Sequence, residues 1–265
     1  MRDDIAGLGG TLGSAFIERL LTVQPAGSGG WPFALARFQL ASYVPELFPQ
    51  HGIAFPENIR NSVARRQAEF LAGRVCAKGI LENYGHARHA IGIGSHRQPV
   101  WPSGLIGSIT HSAHYAAALA CPASALMGVG IDIETIVQEA GRAAMIDLVV
   151  SPEEVDYLRR CGAGLDFDCL LTLVFSAKES FFKAAFAQVQ AFFDFDALKL
   201  LQIDPQRRLM RFRCQQDLSS QLVVGREVVA GFGFIDSGSV FTVVLLDHAP
   251  GTVNIDSYFK ARVGV

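Results

Sequence analysis

Gly128-Val-Gly-Ile-Asp-Ile-Glu134 and Phe175-Ser-Ala-Lys-Glu-Ser-Phe-Phe-Lys183 are the two stretches that organise this chain. The first reads as a buried strand whose end carries two carboxylates. Strand side chains alternate between faces, so Asp132 and Glu134 project from one side and Val129, Ile131 and Ile133 from the other. The second reads as an apolar helix with one narrow charged face. Side chains advance by about 100° per helical residue, which places Ser176, Glu179, Ser180 and Lys183 on a single arc. Phe175, Phe181, Phe182 and Phe186 surround that arc with bulk. An acid and a lysine on so apolar a helix are costly unless paired or bound. Glu179 and Lys183, spaced i, i+4, can also pair with each other.

This pattern suits a divalent cation and a pyrophosphate. Magnesium takes oxygen ligands in an octahedron, usually one or two carboxylates with phosphate oxygens and water. Two strand acids and one helix acid supply such donors, and without a cation they would raise each other's pKa. A neighbouring lysine suits phosphate charge that the metal leaves unneutralised. Each motif alone has an ordinary explanation, a solvated turn for the first and a surface ion pair for the second. Their succession, strand then helix, favours a site.

The composition narrows the setting. Half of the 265 residues are hydrophobic, enough for a sizeable core. With 23 basic and 25 acidic residues, no global field points to nucleic acid or membrane. Most of the basic residues are arginine, which makes forked phosphate contacts, although a high-GC genome produces the same bias. The five cysteines are scattered and read as reduced thiols of a cytoplasmic protein. No secretory signal is recognised near the start, where Gly7, Gly9, Gly10 and Gly13 interrupt the sequence. No apolar run reaches the ~18–20 residues that span a bilayer.

Along the chain, residues 22–32 read as a loop and 33–48 as strand-like stretches punctuated by Pro45 and Pro49. A long helix is predicted over 57–84 with Gly85 as its stop. A loop over 92–102 follows, then two strands over 105–121 around Ser112-Ala113-His114. Ser151-Pro-Glu-Glu154 predicts a capped helix start. A helix over about 166–188 carries the charged arc. Strands are expected over 198–203, 209–213, 228–234 and 240–246. The predicted class is α+β. It comprises two pseudo-symmetric halves, 1–125 and 126–250, each a small antiparallel sheet packed with helices, and a tail over 251–265. An active site is expected at their junction.

These motifs resemble the 4′-phosphopantetheinyl transferases of the two-half Sfp/EntD type. The family's Gly-Ile/Val-Asp strand matches Gly130-Ile131-Asp132, followed by Glu134. Its Phe/Trp-x-x-Lys-Glu-x-x-x-Lys matches Phe175, Lys178, Glu179 and Lys183. Pro99-Val-Trp-Pro102 with Gly107-Ser-Ile-Thr-His-Ser112 is similar to the EntD branch, as is Arg65-Arg-Gln-Ala-Glu-Phe-Leu-Ala-Gly-Arg74. The resemblance spans roughly 57–246 and leaves 1–55 and 250–265 aside.

The resemblance implies a reaction: a serine hydroxyl of an apo acyl, peptidyl or aryl carrier protein attacks the β-phosphorus of coenzyme A, and 3′,5′-ADP leaves. It implies Asp132, Glu134 and Glu179 as magnesium ligands, and Glu179, or water held by the metal, as base. Lys183 is expected on the pyrophosphate, with Lys178 a weaker candidate whose role can equally be structural. Arg66, Arg74, Arg97, Ser108 and His111 are the expected coenzyme contacts. For the arginines the alternative is a solvated helix face, and for His111 a hydrogen-bonded core residue. Arg207, Arg208, Arg211 and Arg213 offer a basic docking surface or an ordinary solvated strand edge. Secondary metabolism, siderophore synthesis and fatty-acid synthesis all remain open. Two other readings stand beside this one: a magnesium-dependent phosphohydrolase or nucleotidyl-transfer enzyme, and a non-catalytic coenzyme A-binding homologue.

Overall fold

The computed structural model describes residues 11–12, 14–23, 30–161 and 164–248. The expected tail over 251–265, the loop residues 24–29 and the early glycines lie outside the described residues. The chain divides into two compact units, one ending at Ala123 and one running from Ser124.

The first unit contains β1 (Thr11–Leu12), β2 (Ile17–Val23) and β3 (Phe33–Phe38), then α1 (Leu47–Gln50), α2 (Glu57–Arg60) and α3 (Ala64–Asn83). After these come β4 (Gly92–Ile93), β5 (Pro99–Val100), β6 (Leu105–His111) and β7 (Tyr115–Pro122). Its main sheet is antiparallel with strand order β1-β2-β3-β7-β6. α3 covers one face of that sheet, packing on β3, β6 and β7. The helix is almost all buried along its middle because Ala68, Leu71, Ala72, Cys76, Ala77 and Ile80 meet the alanine-rich β7. Small side chains on both surfaces let helix and sheet approach closely.

The single helix expected over 57–84 is two helices broken at Asn61-Ser62-Val63. Ser62 Oγ donates to Ile59 O, and Gln67 Nε2 donates to the carbonyls of Arg60 and Ser62. These local bonds satisfy the chain where it turns. The strand-like reading of 33–48 holds only to Phe38, after which a 3-10 turn and α1 follow.

The second unit contains β8 (Gly128–Thr135), α4 (Glu139–Val149), α5 (Pro152–Arg160) and α6 (Phe167–Val189). Four further strands follow: β9 (Leu198–Asp204), β10 (Leu209–Cys214), β11 (Glu227–Asp236) and β12 (Ser239–Leu246). The sheet is antiparallel with order β8-β12-β11-β10-β9. β8 is an edge strand in this order, and its pairing with β12 sets Asp132 opposite Thr242. α6 lies across β8 and β12. Its buried Leu170, Leu173, Val174, Ala177 and Phe181 join Phe212, Phe232, Val240 and Val244 in one core.

Two caps begin the helices that position the site. Ser151 and Glu154 form the expected capping box, and Asp166 Oδ1 accepts from the Cys169 N–H at the start of α6. Among the described residues no helix is long and apolar enough to cross a membrane.

Candidate active site

The glycines of β8 decide where α6 runs. A Cβ on Gly128 would overlap the carbonyl of Ala184, and one on Gly130 would overlap the carbonyl of Ser180. The face of β8 bearing Gly128, Gly130, Asp132 and Glu134 therefore looks at α6, whose backbone it nearly touches. Asp132 emerges where the helix presents Ser176, Ser180 and Lys183. Its Oδ2 accepts from Ser176 Oγ at 2.9 Å, and its Oδ1 accepts from Lys183 Nζ at 2.5 Å. Lys183 Nζ also donates to Ile131 O at 3.3 Å. Thr242 Oγ1 closes the hydroxyl network, 2.9 Å from Ser176 Oγ and 2.7 Å from Ser180 Oγ.

Glu134 and Glu179 are half-buried beside this pair. Burial, then Asp132 and also Glu179, push the Glu134 carboxyl up to about 8 against the opposing pull of Lys183. Glu179 is likewise raised, by burial and by Asp132, again opposed by Lys183. The three acids thus converge within electrostatic reach of one ammonium. Although Glu179 and Lys183 have the spacing of a helix pair, the lysine's hydrogen bond goes to Asp132 across the β8–α6 contact.

Lys178 is turned elsewhere. Its ammonium is buried, donates to Val149 O at 2.7 Å and pairs with Glu154 Oε1 at 3.2 Å. Burial lowers its pKa while Glu154 opposes the shift. Glu154 also accepts from the backbone N–H groups of Ser151 and Leu200, so one buried carboxylate joins α5, α6 and β9. This is a structural pair, and the expected coenzyme contact at Lys178 has no support in its position.

In the first unit Arg66, Glu69, Arg74, Arg97 and His111 line a cavity of about 350 Å³. Arg66 and Arg74 lie two turns apart on α3, as their spacing requires. Arg74 is 8 % exposed, and its Nε is buried without a hydrogen-bond partner. Its guanidinium stacks 4.5 Å over the Phe70 ring, and its Nη2 reaches Gly92 O at 3.3 Å. Desolvation, then Arg66, lower its pKa to about 10. Such a buried cation with an unused donor suits an anion.

Arg97 enters from the turn between β4 and β5 with φ of 67°, a left-handed conformation uncommon for a non-glycine residue. His111 and Ile109 share the α3-facing side of β6, where Ile109 meets Gly73. Ser108 is an odd number of residues from both, so it projects to the opposite side and does not line this cavity. On the same strand a Cβ on Gly107 would strike the Trp101 ring, which explains a glycine behind the Pro99-Val-Trp-Pro102 stretch. Of Arg207, Arg208, Arg211 and Arg213, the last two both pair with Glu227 on the neighbouring β11.

Comparison with known proteins covers both constellations. Residues 55–121 match the 4′-phosphopantetheinyl transferase N-terminal domain, and residues 128–232 match the 4′-phosphopantetheinyl transferase superfamily. Enterobactin synthase component D of Salmonella typhi is 34% identical over 176 residues, covering 65% of this chain and 72% of that protein. This chain belongs to the 4′-phosphopantetheinyl transferase superfamily.

The transferase is also similar to enterobactin synthase component D of Escherichia coli K12, at 35% identity covering 61% of this chain and 77% of the relative. The 4′-phosphopantetheinyl transferase PptT of Mycobacterium tuberculosis is 34% identical, with 61% and 69% covered. The matched stretches contain both the basic cavity and the acidic cluster of this phosphopantetheinyl transferase. Two members of its constellations carried no role in the sequence. Glu69 lay unremarked within the Arg65–Arg74 motif, and Thr242 joins Asp132 only through the β8–β12 register, which no local signal reveals.

Proposed function

We propose that this phosphopantetheinyl transferase moves the 4′-phosphopantetheine arm of coenzyme A to a serine of an apo carrier protein, with magnesium as the required ion. The observation that carries the reading is the convergence of Asp132, Glu134 and Glu179 on Lys183 across the β8–α6 contact.

The donor set fits a hard cation. All donors are oxygen, and two of the three carboxylates are held above their ordinary range by burial and by their neighbours' charge. Among the described residues no three His, Cys, Asp or Glu side chains form a ready metal cage. Magnesium in phosphoryl-transfer sites seldom uses one, because substrate oxygens complete its shell. Bound there, magnesium supplies charge neutralisation across the pyrophosphate oxygens.

The side chains account for the rest. The serine oxygen bonds to the β-phosphorus as the bond from that phosphorus to the bridging oxygen breaks, and 3′,5′-ADP departs with that oxygen. Glu179, its carboxyl raised above the ordinary carboxylate range by burial and by Asp132, is suited to take the serine proton. Lys183 brings its ammonium charge to bear on the charge that grows on the leaving group. Arg66, Arg74, Arg97 and His111 offer a cationic cavity for the nucleotide's phosphate. The resemblance to proteins named enterobactin synthase component D supports siderophore synthesis as the setting.

The test is to incubate the protein with apo carrier protein, coenzyme A and magnesium and to weigh the carrier. A phosphopantetheine mass on the carrier supports the proposal. An unchanged carrier alongside hydrolysed coenzyme A supports a phosphohydrolase instead.

A further inference from the structure

The arginine-rich cavity of the first unit contains an acid. Glu69 is 8 % exposed, and its Oε1 accepts from Arg65 Nε at 2.9 Å. Its Oε2 lies 3.5 Å from His111 Nδ1. On the other side of the same imidazole, Arg66 Nη1 lies 2.6 Å from His111 Nε2. A guanidinium has only donors, so Nε2 accepts and carries no proton. The histidine is then the neutral tautomer with its proton on Nδ1, directed at Glu69. Among the described residues, the ionisable groups lining the cavity with His111 are Arg66, Glu69 and Arg74 from α3 and Arg97 from the β4–β5 turn.

The charge balance explains why this arrangement responds to a ligand. Three guanidiniums oppose a further positive charge on His111, and the single carboxylate of Glu69 only partly offsets them. A phosphate monoester dianion entering the cavity reverses that field and competes for the Arg66 donor. His111 Nε2 then needs its own proton to face the phosphate, and Glu69 stands behind Nδ1 to balance the resulting imidazolium.

We propose that Glu69 is a positioning residue that makes this cavity a proton-linked phosphate site, in which His111 gains a proton at Nε2 as the phosphate displaces Arg66 from it. The proton comes from solvent, and no bond of the ligand breaks. The inference rests on the reading that this cavity takes the 3′-phosphate of the coenzyme.

The experiment is calorimetric titration of the full chain with 3′,5′-ADP in buffers of different ionisation enthalpy. At about pH 7.5, above the ordinary range of histidine, the parent is expected to take up roughly half to one proton per ligand. Its affinity should fall by up to about tenfold per pH unit above that point. His111→Gln should bind with uptake near zero, and so should the parent with dephospho-coenzyme A, which lacks the 3′-phosphate. Glu69→Gln should bind 3′,5′-ADP with less than half the parent uptake, a change that simple loosening of the helix would not produce. Glu69→Asp, which keeps the charge but shortens its reach, is the second variant and should also show reduced uptake. Buffer-independent binding by the parent, or parent-like uptake by both Glu69 variants, overturns the proposal. Failure of 3′,5′-ADP to bind, or equal affinity for dephospho-coenzyme A, overturns the phosphate reading beneath it and the proposal with it.

Discussion

Lys183 Nζ lies 2.5 Å from Asp132 Oδ1, bridging α6 and β8 where two glycines let the helix approach the strand. The Asp132 side chain is 4% exposed and the Lys183 side chain 27%, so the pair joins a buried acid to a lysine that still reaches solvent. Replacing Asp132 by Asn keeps an acceptor for Ser176 and Lys183 but removes the charge. Transfer to carrier protein should fall by at least about a hundredfold, the usual loss when one electrostatic element of a preorganised site is removed. The melting temperature should move by only a few degrees. Steady-state rates and a thermal melt on one preparation check both halves, and an unfolded variant would show that Asp132 serves the core instead.

Gly130 tests the close approach. Adding a methyl group there forces it into the Ser180 carbonyl, a backbone atom that cannot swing aside. Gly130→Ala should cost roughly 1–3 kcal/mol or more by overpacking. It should also depress transfer, because α6 carries Glu179 and Lys183. Chemical denaturation with parallel activity assays measures the two effects, and a fully stable, fully active variant would contradict the packing described.

Several elements were legible because they carry local signals. The Ser151–Glu154 capping box, the Asp166 start of α6, and the apolar strands β11 and β12 follow from residue type and spacing. α4 was missed because only Val149 of its residues is buried, which leaves a weak apolar stripe, and Gly141 lies inside it. β2 was missed because Leu20 and Leu21 are adjacent, which breaks period-two alternation. The acidic cluster was readable from the strand and helix periods. The bond from Lys183 to Asp132 was not, since it depends on where α6 crosses β8. Lys178 was ambiguous for the same reason, its partner Glu154 being 24 residues away on α5.

Lys178 and Glu154 form a buried pair, and removing one partner of such a pair typically costs about 3–5 kcal/mol. Lys178→Ala should lose stability on that scale. The double change Lys178→Met with Glu154→Gln should recover part of it. In the folded fraction of either variant the KM for coenzyme A should be unchanged. Urea unfolding and steady-state kinetics decide this, and a raised KM with undiminished stability would return Lys178 to the coenzyme site.

Glu134 gives a pH signature. Its carboxyl is raised to about 8 in the folded protein, so between the ordinary carboxylate range and that value the folded state holds a proton that the unfolded chain has released. Stability from this group is complete at low pH and is lost as pH rises towards 8. In the presence of a chelator, Glu134→Gln should therefore gain melting temperature over the parent progressively from about pH 5 to about pH 8. Added magnesium should narrow the gap by stabilising the ionised parent. A difference that stays flat with pH would show that Glu134 is not held in its protonated form.

The proposed transfer depends on Glu179 acting within the acidic cluster. The direct measurement is the single-turnover rate of carrier modification by Glu179→Gln at saturating coenzyme A and magnesium, with coenzyme A affinity measured on the same sample. The predicted result is a fall of about a thousandfold or more in rate with affinity kept within a few-fold, as expected for a group that acts in the transition state. A variant that modifies the carrier at the parent rate would contradict it.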